Sequence, residues 1–154
     1  MSGLVVLRAD DAPRMAHLHS LAFPLYEQWS AESFGSTLDL TTTLALGVES
    51  DIGLKAMIVF QRVGAEAEIL TLATAPAFQR QGLAAQLLQH GLDLLGQYGA
   101  ARLMLDVAAD NFGAITFYEH HGFAQDGCRP NYYRSGRDTP VDALLMSRAI
   151  ARQG

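Results

Sequence analysis

ILTLATAPAFQRQGLAAQLLQHGLDLLGQYGAARLMLDV, residues 69–107, changes its hydrophobic period twice. Up to Ala75 it reads as the end of a strand beginning near Glu68. After Pro76, Leu83, Leu87, Gly91, Leu95 and Tyr98 recur at near-helical spacing, and Leu88 and Leu92 widen the stripe. The pattern predicts a helix from about Gly82 to Tyr98, with Gly99 as its stop. Leu103 to Val107 then reads as a short buried strand. A strand, a helix and a strand in succession form a crossover unit, which pairs its two strands in parallel.

Working outward, Leu4 to Arg8 reads as a first strand. Asp10 or Asp11 offers a cap to a helix with Pro13 in its first turn, running to about Phe23 before Pro24 breaks it. Ser30 can cap a second helix through Phe34 to about Leu40. Leu44 to Glu49, Gly53 to Val63 and Glu68 to Ala75 are strand-like, and Gly64 marks a hairpin between the last two. Asp110 or Asn111 opens a helix ending near His121, with Gly122 suited to a left-handed terminus. Strands follow from Phe123 and over Val141 to Ala149. The expected fold is α/β. A mixed, mostly antiparallel central sheet carries a parallel pair at a cleft and helices on both faces. No repeat, low-complexity tract or linker divides residues 1–154, so one domain is expected.

Composition narrows the function. Of 154 residues, 49% are hydrophobic and 18% charged, which is a globular balance. A formal net charge of −5 argues against a nucleic-acid partner, since phosphate binding needs clustered Lys and Arg. The lone cysteine, Cys128, excludes an intrachain disulfide framework. No signal-peptide pattern or membrane-length apolar run is visible, so no membrane association and a cytoplasmic setting are expected. His17 and His19, and His120 and His121, lack the spacing of metal ligands, and no metal is expected. Oligomeric state is not legible, although the apolar last strand could pair with a second chain or sit inside the sheet.

The turn Gln79-Arg80-Gln81-Gly82-Leu83-Ala84 lies between a strand and the long helix. A helix N-terminus presents unpaired amides and a partial positive charge. Gly82 lets backbone approach a ligand closely, Arg80 adds a cation, and no acidic residue occupies the first turn. The segment fits neither the dinucleotide glycine pattern nor the P-loop. It does match the Q/R-x-x-G-x-G/A signature of the GNAT superfamily of N-acetyltransferases. Around it, ATAPAFQRQGLAAQLL, LDVAADNFGAITFYEHHGF, RPNYY and DALLM carry the likeness over roughly half the chain. The chain most resembles the bacterial ribosomal-protein-alanine N-acetyltransferases.

That resemblance implies acetyl-CoA as cosubstrate and an amine acceptor, a protein N-terminus. Gln79, Arg80, Gln81, Gly82, Leu83, Ala84 and Ala85 would bind the pyrophosphate. Leu72, Ala73 and Thr74 would hydrogen-bond the pantetheine and acetyl group through their backbone, and Asn111 would contact the cofactor. The family's catalytic positions fall on Asp106, as base, and Tyr118, as acid. The tyrosine matches. Aspartate replaces the family's glutamate and is one methylene shorter, which calls for a water bridge or for another base such as Glu68. The acceptor loop between the first two helices would present Tyr26, Glu27 and Trp29, and Tyr132 and Tyr133 could line a peptide groove. An acetyltransferase for lysine, a polyamine or another small amine shares these features, as does a non-catalytic acyl-CoA-binding module.

Overall fold

The structure is a computed structural model that describes residues 3–151. Seven strands form one sheet: β1 (Gly3–Val6), β2 (Thr43–Ser50), β3 (Gly53–Val63), β4 (Glu66–Thr74), β5 (Arg102–Ala108), β6 (Ala124–Tyr133) and β7 (Val141–Ala149). They lie in the order β1-β2-β3-β4-β5-β7-β6. Only β4 and β5 pair in parallel; every other neighbouring pair is antiparallel. Four α-helices complete the described fold: α1 (Ala12–Ala22), α2 (Ala31–Leu38), α3 (Leu83–Gln97) and α4 (Phe112–His120). Elements and order agree with the sequence reading, with boundaries shifted by one or two residues. β7 lies inside the sheet, between β5 and β6, so it has no free edge to offer a second chain.

Strand alternation sorts side chains to two cores. Ala56, Ile58 and Phe60 of β3 face one side with Leu87, Leu88, Leu92 and Leu95 of α3 and Leu103, Leu105 and Val107 of β5. Met57 and Val59 face the other side with Met15 and Leu18 of α1 and Phe34 of α2. Residues 56–60 are wholly buried because helices cover both faces there. Ser30 caps α2, its Oγ accepting from the Ser33 amide at 3.1 Å. Asp11 does not cap α1 through its side chain; its carboxylate accepts from the Arg8 amide and Arg14 Nε instead.

The decisive local feature lies in β4. Its pairing with β5 covers only Glu66–Glu68 against Arg102–Met104, yet both strands continue beyond. On its other edge β4 stays paired to β3, but Val59 opposes Thr71 while Phe60 opposes Ile69, which leaves Leu70 as an extra residue. Such a bulge bends its strand and sharpens the twist. Here it also exchanges faces: Ile69 belongs to the α3 core, whereas Ala73 belongs to the α1 core. The strands part just where the bulge falls, and the β5-facing edge of β4 from Leu70 to Thr74 is left without a strand partner.

At the far edge, β6 is almost wholly exposed and its register against β7 breaks twice, between Gln125 and Gly127 and between Arg129 and Tyr133. No helix among the described residues is long and apolar enough to cross a membrane.

Packing of α3 on β3 leaves no room at Gly91, where a Cβ would collide with the Phe60 ring. Gly91→Val is expected to destabilise the fold by about 1–3 kcal/mol, because overpacking a closed core forces rotamer and backbone shifts. A urea titration should show a lower midpoint with an unchanged slope.

Candidate active site

Two cavities flank the break between β4 and β5. One, of about 620 Å³, opens at the N-terminus of α3. Leu72, Ala73 and Thr74 line it, with Gln79, Arg80, Gly82, Leu83, Ala84 and Ala85. Gln81 is exposed and lies outside that lining. Gly82 is the N-cap residue of α3, at φ 77°, and no side chain caps the helix. Arg80 is also left-handed, at φ 64°, an uncommon conformation for a residue with a side chain. The amides of Leu83, Ala84 and Ala85 have no acceptor within the helix, and no acidic side chain competes in its first turn. Uncapped helix amides with no competing carboxylate have the chemistry to receive an anion. The unpartnered edge of β4 runs along the same cavity, with backbone donors and acceptors free for an extended ligand.

The other cavity, of about 430 Å³, lies on the β5 side. Asp106 and Tyr118 both line it, as do Asn111, Tyr26, Glu27, Trp29, Tyr132 and Tyr133. The two cavities share Phe23 and Leu72, so they meet at the point where the strands diverge. Asn111 lines the β5 cavity rather than the α3 cavity, and its Oδ1 accepts from the Ala114 amide at 3.2 Å. It is Asn111, and neither Asp106 nor Asp110, that caps α4.

Tyr118 is held by the end of its own helix. The Phe123 amide donates to the Tyr118 carbonyl and the Gly122 amide to that of Glu119, with Gly122 at φ 89°. This Schellman arrangement folds Phe123 back onto Tyr118, their ring centroids 5.3 Å apart and nearly perpendicular. The phenol is 8% exposed and, among the described residues, its hydroxyl has no hydrogen-bond partner. Burial pushes its pKa up to about 12, because a phenolate would be poorly solvated there.

Asp106 alternates outward from the apolar residues of β5, as expected. Its nearest cation is Arg129, with Nη1 3.9 Å from Oδ2. Glu68 pairs in register with Met104, so it shares the face of Asp106. Burial raises the Glu68 pKa first and the Asp106 charge raises it further, while Arg129 opposes both. Asp106 lines the cavity and Glu68 does not.

Sequence reasoning missed His19. It is 1% exposed, lies on the buried stripe of α1 with Met15 and Leu18, and lines the β5 cavity. The Trp29 amide donates to its Nδ1 at 3.1 Å, so its proton sits on Nε2, which donates to Thr71 Oγ1 at 2.9 Å. His19 thus fastens the chain between α1 and α2 to β4 one residue past the bulge. Burial lowers its pKa to about 4. Its spacing of four from Met15 on an apolar stripe was the available signal.

Uncapped helix amides and an open strand edge thus adjoin a cavity lined by a carboxylate and a phenol. The chain belongs to the Acetyltransferase (GNAT) family, which matches residues 7–123. It is 34% identical to the [Ribosomal protein bS18]-alanine N-acetyltransferase of Escherichia coli K12, over 98% of this chain and 99% of that protein. It is 31% identical to the N-alpha-acetyltransferase RimI of Mycobacterium tuberculosis, over 90% of this chain and 86% of the relative. The crystal structure of the E. coli ribosomal-protein-S18-alanine N-acetyltransferase superposes with a TM-score of 0.90 at 33% identity, covering 100% of this chain and 97% of the other. The protein is an acetyltransferase.

The His19 link predicts a pH dependence. The unfolded histidine binds its proton near its ordinary value of 6.5, and the folded one only near 4. The unfolded state therefore holds more protons between those values, and stability falls as pH drops through that window and levels off below it. The slope from this residue is at most about 1.4 kcal/mol per pH unit. His19→Gln should flatten that part of the curve in denaturant titrations between pH 4 and 7.

Proposed function

We propose that this enzyme transfers acetyl from acetyl-CoA directly to the N-terminal α-amine of a protein, with the alanine of a ribosomal protein as its acceptor. The observation that carries this reading is the meeting of the two cavities at Leu72. A donor laid along Leu72, Ala73 and Thr74, with its pyrophosphate on the amides from Gly82 to Ala85, brings its acyl carbon to the mouth of the cavity lined by Asp106 and Tyr118. Relatives that match nearly the whole chain are named alanine N-acetyltransferases of a ribosomal protein, which supports the acceptor class. A cytoplasmic setting would bring the enzyme to a ribosomal acceptor.

Each residue then has a task. An amine attacks only when neutral; an α-amine with a pKa near 7.7–8.0 is roughly one-tenth neutral at pH 7, whereas a lysine near 10.4 is far less so. A modest base therefore suffices for the first. Asp106 receives the amine's proton, through a water where its shorter side chain does not reach, and the nitrogen forms its bond to the thioester carbonyl carbon. Glu68, with its raised affinity for protons, stands behind Asp106 as a second acceptor. Free backbone amides on the β4 edge stabilise the oxyanion. As the C–S bond breaks, Tyr118 gives its proton to the leaving thiolate. Its hydroxyl has no competing partner among the described residues, which leaves its proton available to the leaving group.

Tyr118→Phe and Asp106→Asn should each lower kcat by about 10²–10⁴ for a peptide with an N-terminal alanine. Free coenzyme A, followed by calorimetry, should bind both variants as it binds the parent. Unchanged kcat in both variants would remove the acid and the base from this scheme. Product mass on a panel containing lysine, polyamine and α-amine acceptors should favour the α-amine; preference for lysine would overturn the acceptor assignment. Gly82→Ala forces a side chain into left-handed geometry at a cost of about 1–2 kcal/mol. That cost falls on the folded backbone whether or not a ligand is bound, so a urea titration should show a lower midpoint for this variant.

A further inference from the structure

The loop between β6 and β7 carries one side chain that reaches three other parts of the fold. Arg137 Nε and Nη2 donate to the two oxygens of Asp110 at 2.9 and 3.1 Å, a bidentate fork. Its Nη2 also stands 3.6 Å from Glu27 Oε1, and its guanidinium lies 5.6 Å from the Tyr133 ring. Only 15% of the side chain is exposed, although residues 134–136 and 138 around it are exposed. A second contact joins the same loops: the Tyr26 ring occupies the space where a Cβ at Gly136 would lie. Glu27 comes from the turn between α1 and α2, and Asp110 immediately precedes the cap of α4.

Arg137 is largely covered, but Asp110 and Glu27 keep 45% and 35% of their side chains exposed, so the pairs add modestly to stability and stability alone does not account for the arrangement. Its location does. Tyr26, Glu27, Tyr133 and Arg137 all line the cavity that also holds Asp106 and Tyr118. The two loops form its outer wall, and Arg137 is the member that ties both to the start of α4.

We propose that Arg137 is a positioning residue for the acceptor: by holding the 25–27 turn and the 134–140 loop to Asp110, it fixes the path along which the acceptor chain reaches Asp106 and Tyr118. This inference rests on the β5 cavity being the acceptor site. A fixed, planar cation suits the task because its fork sets direction as well as distance. Releasing one wall of a site makes the acceptor order it on binding, so the loss falls on the acceptor's apparent affinity.

Steady-state kinetics with acetyl-CoA and an alanine-terminated peptide varied independently provide the test. Arg137→Ala should raise the peptide KM by roughly tenfold or more and leave the acetyl-CoA KM within about twofold. Arg137→Lys keeps the charge but loses the fork, and should recover only part of the loss. Asp110→Asn should weaken peptide binding as well, and the Arg137→Ala, Asp110→Asn double variant should be no worse than Arg137→Ala alone. Equal rises in both KM values with an early thermal melt would reduce Arg137 to a structural residue and overturn the proposal. Should Arg137→Ala fold poorly, the same KM comparison in Arg137→Lys decides. An unchanged peptide KM, with kcat still lost in Tyr118→Phe, would overturn the positioning role alone. No effect in either variant would instead remove the acceptor from this cavity.

Discussion

The parting of two parallel strands governs this molecule. β4 and β5 pair over only three residues each before separating, and Leu70, the extra residue in β4, lies where they part. A parallel pair buried between helices ordinarily continues its ladder, because unpaired backbone groups are costly away from water. Here the ladder stops in mid-sheet and leaves a row of donors and acceptors facing a gap. That gap joins the two cavities. The helix that follows β4 brings its uncapped N-terminus to one side, and the end of β5 with the start of α4 frames the other. Fold and site have the same origin.

Much of this was legible in the residues. The apolar spacing of α3 and the run from Leu103 to Val107 imply a crossover and hence the parallel pair, because one-sided burial writes its period into sequence. The turn at Gly82 was legible for a similar reason: its geometry is local, and a glycine where φ must be positive is a direct trace of it. Leu70 left no such trace. Inside ILTLAT every neighbour is apolar or small, so an inserted residue and a regular one look alike. The break in pairing was hidden with it.

The site was legible in proportion to its locality. Asp106 and Tyr118 lie on a strand and the helix that follows it, and alternation alone assigns Asp106 its face. His19, Thr71 and the Trp29 amide meet only through the packing of α1 on β4. Glu27, Asp110 and Arg137 come from three connections far apart in the chain. Charged residues in turns are ordinarily solvated, so no sequence pattern separates these from the rest. The same holds for the pairing of Glu68 with Asp106, which needs the register of β4 against β5 before it can be seen.

β6 has a consequence of another kind. A long, exposed outer strand is an invitation to foreign backbone, and the opposite rim of the sheet is only the short β1. Two interruptions of register and Pro130, which has no amide hydrogen to offer, spoil the regular ladder that an incoming strand would need. The interrupted rim therefore disfavours strand addition at β6, while β7 keeps both its edges paired inside the sheet. The irregular rim works as a guard for the regular interior, and straightening it would trade solubility for order.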